Sequence, residues 1–362
     1  MASLRPPSTI GILGGGQLGR MMAMKANEMG YKTHIYCPDK DSPAFEKSTI
    51  HTIAAYDDEA ALKKFAASVD IITYEFENIP TAPLQVIAHK LYPSIGVLEI
   101  CQHRIKEKET LNRLGIKTAP FRAVRTQQEL LKAFADLGAT PKNPLIVKTV
   151  TMGYDGKGQG KMEHAEVFHL NEITNSTPEG TFRNEVIAEG FVNFSMEISV
   201  IVARNESGEI QCYPPVHNTH KNHILHETIA PAPISDALAQ KAESMARTIA
   251  EGLKLVGILA VEMFVCGDEL LVNELAPRPH NSGHWTMDAC KTSQFEQVIR
   301  AICGLPLGST EIICPAKMLN LIGDDINDIE KYRAMKNARL HLYGKKESRP
   351  GRKMGHVNFL GN

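Results

Sequence analysis

The apolar run Ile10–Leu13 leads directly into Gly14-Gly15-Gly16-Gln17-Leu18-Gly19-Arg20-Met21-Met22. A buried strand that enters a glycine turn and then a helix is the first half of a βαβ unit. Such units build parallel sheets with right-handed crossovers. The following segments keep the alternation. Lys32–Cys37 and Asp70–Phe76 read as strands, Gln17–Met29 as a helix, and Asp57 or Asp58 as the cap of a second helix that runs to about Ser68. Gly14, Gly16 and Gly19 satisfy G-x-G-x-x-G, and Asp39 lies 20 residues after Gly19. On paper this is a complete dinucleotide fingerprint, so an NAD(P)-dependent dehydrogenase is one reading of residues 14–39.

At 362 residues the chain is too long for one hydrophobic core, and two or three domains are expected. A formal net charge of −1 carries no electrostatic footprint for nucleic acid or an anionic membrane. No apolar run approaches the roughly 20 residues that a bilayer span needs. The stretch MASLRPPSTI lacks the apolar centre of a signal peptide. Seven cysteines, an odd number with no C-x-x-C, read as reduced thiols and not as a zinc site. A cytoplasmic protein is expected.

Further along, Gln102–Leu114 reads as a helix stopped by Gly115, Thr126–Leu137 as a helix and Pro144–Thr149 as a buried strand. Glu185–Val192, Met196–Arg204 and Ile210–Tyr213 read as strands, and Ser235–Lys254 as a long amphipathic helix. Gly257–Val265 and Leu270–Leu275 flank a turn and form a hairpin. Residues 305–362, punctuated by Pro and Gly, read as a small capping domain.

Four features of the middle third fit nucleotide phosphate chemistry. Lys148 ends a buried strand, where it either reaches a phosphate or snorkels to solvent. Gly153, Gly156, Gly158 and Gly160 follow it, a spacing that suits a flap over phosphates or a plain surface hairpin. Glu189-Gly190-Phe191-Val192 closes an apolar strand that could pair with an adenine edge, and Glu197 follows. In the hairpin, a three-residue turn centred on Asp268 sets Glu262 opposite Glu274. Opposed acids repel, and Mg²⁺ would relieve them. The other reading is a solvated acidic face. Immediately after this pair, Arg278 offers a planar fork for a small oxyanion, and Asn281, Ser282 and Gly283 offer further donors.

These residues together resemble an ATP-grasp enzyme. Closer still, GGGQLGRM, YEFENIP, GYDGKGQ, NELAPRPHNSGHWT and GRKMGH resemble, in order and over nearly the whole chain, the N5-carboxyaminoimidazole ribonucleotide synthetase family of de novo purine synthesis. Met152 departs from that pattern, where the family usually has a glycine. The resemblance implies an α/β fold, α+β overall: a Rossmann-like pre-ATP-grasp domain over 1–104, an ATP-grasp domain over 105–300 and a small β-rich C-terminal domain over 301–362. It implies ATP on Arg104, Lys148, Gly153, Tyr154, Asp155, Gly156, Lys157, Gly158, Gln159, Glu189 to Val192, Glu197, His220, Asn273 and Glu274, with Mg²⁺ on Glu262 and Glu274. Bicarbonate would lie by Arg278, Asn281, Ser282 and Gly283, and Arg278 and Asp155 would position the reacting groups. The ribonucleotide would meet Gly16, Gln17, Leu18, Glu75, Glu77, Tyr154, Lys345, Arg352 and Lys353, although the last three also read as a basic solvated tail. The implied reaction is ATP- and bicarbonate-dependent carboxylation of 5-aminoimidazole ribonucleotide through carboxyphosphate, in a homodimer. A formate-using glycinamide ribonucleotide transformylase is the nearest rival, and a nucleotide-binding sensor without catalysis is another.

Overall fold

In a computed structural model, which describes residues 3–153, 158–165 and 181–361, the N-terminal alternation builds a four-stranded parallel sheet. Its strands β1 (Thr9–Leu13), β2 (Lys32–Tyr36), β3 (Ile50–Thr52) and β4 (Ile71–Tyr74) lie in the order β3-β2-β1-β4. Ile10 to Leu13 are buried in succession, as expected of a parallel strand covered on both faces. Helix α1 (Gln17–Glu28) buries Leu18, Met21, Met22 and Ala26. Helix α2 (Glu59–Ala67) is capped by Asp58, whose carboxylate accepts from the Ala61 N–H at 2.9 Å. The helix expected from Gln102 begins later, as α3 (Arg104–Arg113). The His103 ring accepts from the Lys106 N–H, and Ile95–Cys101 form a separate short helix.

A small antiparallel sheet follows. It contains β5 (Phe121–Thr126), β6 (Leu145–Thr149), β7 (Gln159–Met162) and β8 (Thr181–Glu189), in the order β5-β8-β6-β7. Helix α4 (Gln127–Asp136), started by a Thr126/Glu129 capping box, backs it. Strand β8 stops at Glu189, short of the expected Val192, because the Gly190 N–H turns to the Pro120 carbonyl at 2.8 Å.

The third sheet is the largest. It comprises β9 (Met196–Arg204), β10 (Ile210–Cys212), β11 (Val216–Lys221), β12 (Ile224–Ala230), β13 (Gly257–Cys266), β14 (Glu269–Ala276), β15 (Ala316–Ile322), β16 (Ala338–Leu342) and β17 (Lys353–Leu360). The order is β14-β13-β9-β11-β12-β15-β17-β16, with β10 on β9. Helix α5 (Asp236–Gly252) covers one face through Ala242, Ala246 and Ile249. Helix α6 (Gln294–Ile302) lies on the sheet and against α1, which ties the parallel sheet to the large one. The strands of the small C-terminal domain join the large sheet. Glu227 of β12 pairs with Leu319 of β15, so the tail extends the central sheet along an edge that would otherwise be open. Among the described residues no helix is long and apolar enough to cross a membrane.

Candidate active site

The glycine turn after β1 does bind an anion, and that anion belongs to the chain. Glu75, immediately after β4, accepts from the N–H groups of Gly16 and, at 2.7 Å, Gly19. A Cβ on Gly14 would lie 2.2 Å from the Glu75 Cγ, and one on Gly16 would lie 2.6 Å from Oε1. The glycines therefore make room for this carboxylate. Burial pushes the Glu75 carboxyl up, and the two amides oppose that shift. Asp39 is exposed and accepts from its own turn, the Asp41 N–H, at 3.0 Å. The N–H groups that a pyrophosphate would use are already engaged, so the dinucleotide reading fails here. Gly16, Leu18 and Glu75, expected at the ribonucleotide, are engaged within the protein. Gly16 and Glu75 hold each other, and the Leu18 side chain is in the core. Gln17 is half-buried.

Charges converge where the small sheet meets the large one. Lys148, near the end of β6, lies 2.8 Å from Glu189, and Lys108 of α3 lies 3.3 Å from the other Glu189 oxygen. Two ammonium groups around one carboxylate leave a net positive charge. Burial pushes the Glu189 carboxyl up, but Lys108 and Lys148 more than offset it and hold it below its ordinary value. Burial, helped by the neighbouring Lys148, pushes the Lys108 ammonium down despite Glu189. Arg104, one helical turn before Lys108, reaches Glu274 at 3.2 Å and donates to the Gly153 carbonyl at 3.5 Å. Glu107 is buried on the same helix and accepts from the Leu275 N–H at 3.0 Å. Burial and the neighbouring Glu274 push its carboxyl up to about 8.

The flap is described only at its ends. Met152 is exposed with φ +63°, the left-handed region that favours glycine. Gly158 has φ +71°, and Gln159 pairs with Lys148 across β6 and β7. Tyr154, Asp155, Gly156 and Lys157 lie outside the described residues. Phe191 is exposed and Val192 half-buried beyond β8. His220 meets Glu197 at 2.6 Å; burial pulls its pKa down, but Glu197 more than offsets this, and the ring sits above its ordinary value.

Glu262 and Glu274 do face each other, by a different route from the expected one. The turn has two residues, Gly267-Asp268, because Cys266 pairs with Glu269. In that register Glu262 would meet Asn273. A bulge makes Asn273 the extra residue and brings Glu274 opposite Glu262. Glu262 also meets His280 Nε2 at 3.0 Å. Burial would raise the Glu262 carboxyl, but the His280 hydrogen bond holds it below its ordinary value. Paired carboxylates suit a hard divalent cation completed by phosphate oxygens. Among the described residues no group of three His, Cys, Asp or Glu side chains gathers to hold a metal unaided.

The segment after the hairpin requires three corrections. The Arg278 fork is closed on Glu77, with Nη2 donating to Oε1 at 2.9 Å and Nε to Oε2. Burial pushes the Glu77 carboxyl up, but Arg278 outweighs it and the group sits at about 2. The Ser282 hydroxyl is buried between Ser199 and His280, at 2.7 and 2.8 Å. The Gly283 N–H donates to the His280 carbonyl at 3.0 Å. Neither Ser282 nor Gly283 therefore offers the expected donor. Asn281 differs from both, because its amide oxygen and nitrogen are buried with no protein partner.

Lys345 comes back to the end of the parallel sheet. It donates to the Lys353 carbonyl at 2.7 Å, and its neighbour Lys346 pairs with Asp41. Burial and then Arg352 pull the Lys345 ammonium down to about 8, while Glu75 pulls the other way. Lys345 is thus partly buried among cations, unlike a solvated tail residue. The sequence reading missed Lys108, Glu107 and His280. Only the four-residue spacing of Arg104 and Lys108 on one helix could have pointed to the first.

Three family models match consecutive parts of the chain: a ribonucleotide synthetase pre-ATP-grasp domain over residues 8–102, an ATP-grasp domain over 109–295, and a phosphoribosylaminoimidazole carboxylase C-terminal domain over 316–362. The chain is 46% identical to the N5-carboxyaminoimidazole ribonucleotide synthase of Bacillus subtilis (strain 168), over 98% of this chain and 92% of the relative. It is equally identical to that of Brucella melitensis biotype 1, over 99% and 98%. Among solved structures, an ADP complex of an N5-carboxyaminoimidazole ribonucleotide synthetase superposes with TM-score 0.93 at 45% identity, covering 100% of this chain and 94% of that one. The Aspergillus clavatus synthase in complex with ADP and 5-aminoimidazole ribonucleotide superposes with TM-score 0.88 at 32% identity, over 98% and 94%. The chain belongs to the N5-carboxyaminoimidazole ribonucleotide synthase family of ATP-grasp ligases.

Proposed function

We infer that this chain uses ATP and bicarbonate to carboxylate 5-aminoimidazole ribonucleotide, giving N5-carboxyaminoimidazole ribonucleotide for purine synthesis. In the first half-reaction a bicarbonate oxygen attacks the γ-phosphorus of ATP, forming carboxyphosphate and releasing ADP. In the second, the exocyclic amine takes the carboxyl group and phosphate leaves. The observation that carries this reading is the Arg278–Glu77 pair. It joins the segment just after Glu274 to the carboxyl end of the parallel sheet, where ligands of such sheets bind. Phosphoryl transfer and ribonucleotide capture then share one boundary.

Each residue has a derivable role. Lys148 and Lys108, sharing Glu189, supply the net positive charge for ATP phosphates, and Arg104 adds to it. Glu189 to Val192, Glu197, His220 and Asn273 bound the nucleoside, with Phe191 an exposed aromatic face for the purine. Glu262 and Glu274 would hold Mg²⁺, which neutralises phosphate charge as it develops. Asn281 is the donor with unmet hydrogen bonds and faces bicarbonate, and Arg278 orients the carboxylate through its hold on Glu77. Gln17, Lys345, Arg352 and Lys353 bind the ribonucleotide, the last three at its phosphate. Tyr154 and Asp155 on the flap meet the ribonucleotide, and flap closure excludes water from carboxyphosphate. The working boundaries are 1–104, 105–300 and 301–362. A cytoplasmic homodimer is the proposed form, supported by seven unpaired cysteines and by the family resemblance.

One assay tests the reading. ADP release is measured with bicarbonate or formate, with 5-aminoimidazole ribonucleotide or glycinamide ribonucleotide, beside an NADH titration. Turnover is expected only with bicarbonate and the aminoimidazole. Formate-dependent turnover would move the chain to the transformylases.

A further inference from the structure

A row of buried polar side chains crosses one face of the central sheet and ends on Glu262. The Thr228 hydroxyl of β12 donates to Asn218 Oδ1 of β11 at 2.9 Å. Asn218 Nδ2 donates to Ser199 Oγ of β9 at 2.9 Å. Ser199 Oγ lies 2.7 Å from Ser282 Oγ, which lies 2.8 Å from His280 Nδ1. His280 Nε2 then meets Glu262 Oε1 at 3.0 Å. Thr228, Ser199, Ser282 and Asn218 are each at most 5% exposed, so water does not compete for these contacts.

The chain has a direction. A hydroxyl has one proton to donate. Asn218 Oδ1 accepts from Thr228, so its amide nitrogen faces Ser199 and donates. Accepting from Asn218 leaves the Ser199 proton available to Ser282, and the Ser282 proton available to His280 Nδ1. A second observation agrees: the Ser282 backbone N–H, which can only donate, points at the same Nδ1 at 3.4 Å. Nδ1 is thus an acceptor, and the ring carries its proton on Nε2, where it donates to Glu262. The hydrogen bond at one imidazole nitrogen sets the role of the other.

We propose that Thr228, Asn218, Ser199 and Ser282 are positioning residues that lock His280 in the Nε2–H tautomer and thereby fix the Glu262 carboxylate for its cation. This rests on the reading of Glu262 as a magnesium ligand. The device explains why four polar side chains are kept in a sheet interior where apolar ones would pack. Partners that orient a metal ligand typically matter 10- to 100-fold for metal affinity or activity.

The experiment is nitrogen NMR of ¹⁵N-histidine-labelled protein without nucleotide, with His280 assigned from its loss in His280→Gln. It is paired with the magnesium concentration that half-activates turnover. Wild type should show His280 as the Nε2–H tautomer. Ser282→Ala should give a tautomer mixture and raise the half-activating magnesium about 10- to 100-fold, with the ribonucleotide KM unchanged within about twofold. Ser282→Thr, which restores the hydroxyl, should restore both. If Ser282→Ala fails to fold, Asn218→Asp keeps the shape while removing the donor and should move both readouts the same way. A wild-type proton on Nδ1 overturns the proposal. So does a Ser282→Ala protein with unchanged tautomer or unchanged magnesium response. Glu262→Gln separates the two readings: if it keeps normal magnesium dependence, the metal assignment fails while the tautomer result stands.

Discussion

Arg278 and Glu77, 201 residues apart in the chain, close on each other as a two-point ion pair. Lysine at 278 would keep the charge and lose the fork. Loss of one charged hydrogen bond is worth about 1.5–3 kcal/mol, or roughly 10- to 150-fold. Arg278→Lys should bind ATP normally, need more bicarbonate, and release ADP in excess of carboxylated product. Parallel assays of ADP and product check this. Unchanged coupling would show that the pair only joins domains.

Glu274 is opposite Glu262 and bonded to Arg104, so Glu274→Gln removes one negative charge from the centre of the site without changing side-chain size. ATP turnover should fall about 10²-fold or more, the scale for losing one electrostatic contact in a transition state. The circular dichroism spectrum should not change. Near-normal turnover at saturating Mg²⁺ would remove Glu274 from the metal site.

A side chain at Gly16 would strike the Glu75 carboxylate. Gly16→Val should therefore displace Glu75 from its N–H cradle, lower the melting temperature and weaken ribonucleotide binding, while ATP affinity stays unchanged. Calorimetry with each ligand separates these effects. A loss of ATP affinity alone would assign the turn to the nucleotide.

Lys345 titrates near 8 in the ligand-free protein because it is buried beside Arg352. Raising the pH from 7 to 9 removes its proton and its attraction for a phosphate, so the ribonucleotide KM should rise across that window. A bound phosphate favours the charged form, so binding should take up protons near pH 8. In Lys345→Met the KM should be high throughout and lose this pH dependence. A flat wild-type profile would place the phosphate elsewhere.

Met152 holds a left-handed backbone conformation, which costs an L-residue roughly 1–2 kcal/mol. Met152→Gly should leave thermal stability equal or slightly higher, since relief of strain is partly offset by the freer unfolded chain. Met152→Val should lower it, because a β-branched residue fits that region poorly. Paired melting curves decide between these outcomes.

Local signals determined the elements. Alternation of apolar runs and caps placed β1, β2, β4 and α1 within a few residues, and Ser235 and Thr126 marked helix starts that the structure keeps. The charged residues of the proposed phosphate site were legible as well, since Lys148, Glu189, Glu262 and Glu274 lie in short motifs. The facing of Glu262 and Glu274 followed from counting around a turn, yet the count worked only because a bulge at Asn273 compensated for a shorter turn. No local pattern reveals such a compensation.

What tertiary structure alone decided is which groups remain unpaired. The glycine motif reads as an anion site in any chain, and only the neighbouring strand reveals that Glu75 already fills it. Arg278 reads as an oxyanion fork until Glu77 arrives from the other domain, and Ser282 reads as a ligand donor until His280 takes up its hydroxyl. Periodicity and caps are set by neighbours within a few residues, so sequence carries them. Hydrogen-bond satisfaction and net charge at a site depend on side chains delivered from distant strands, and those partners exist only once the sheets have assembled.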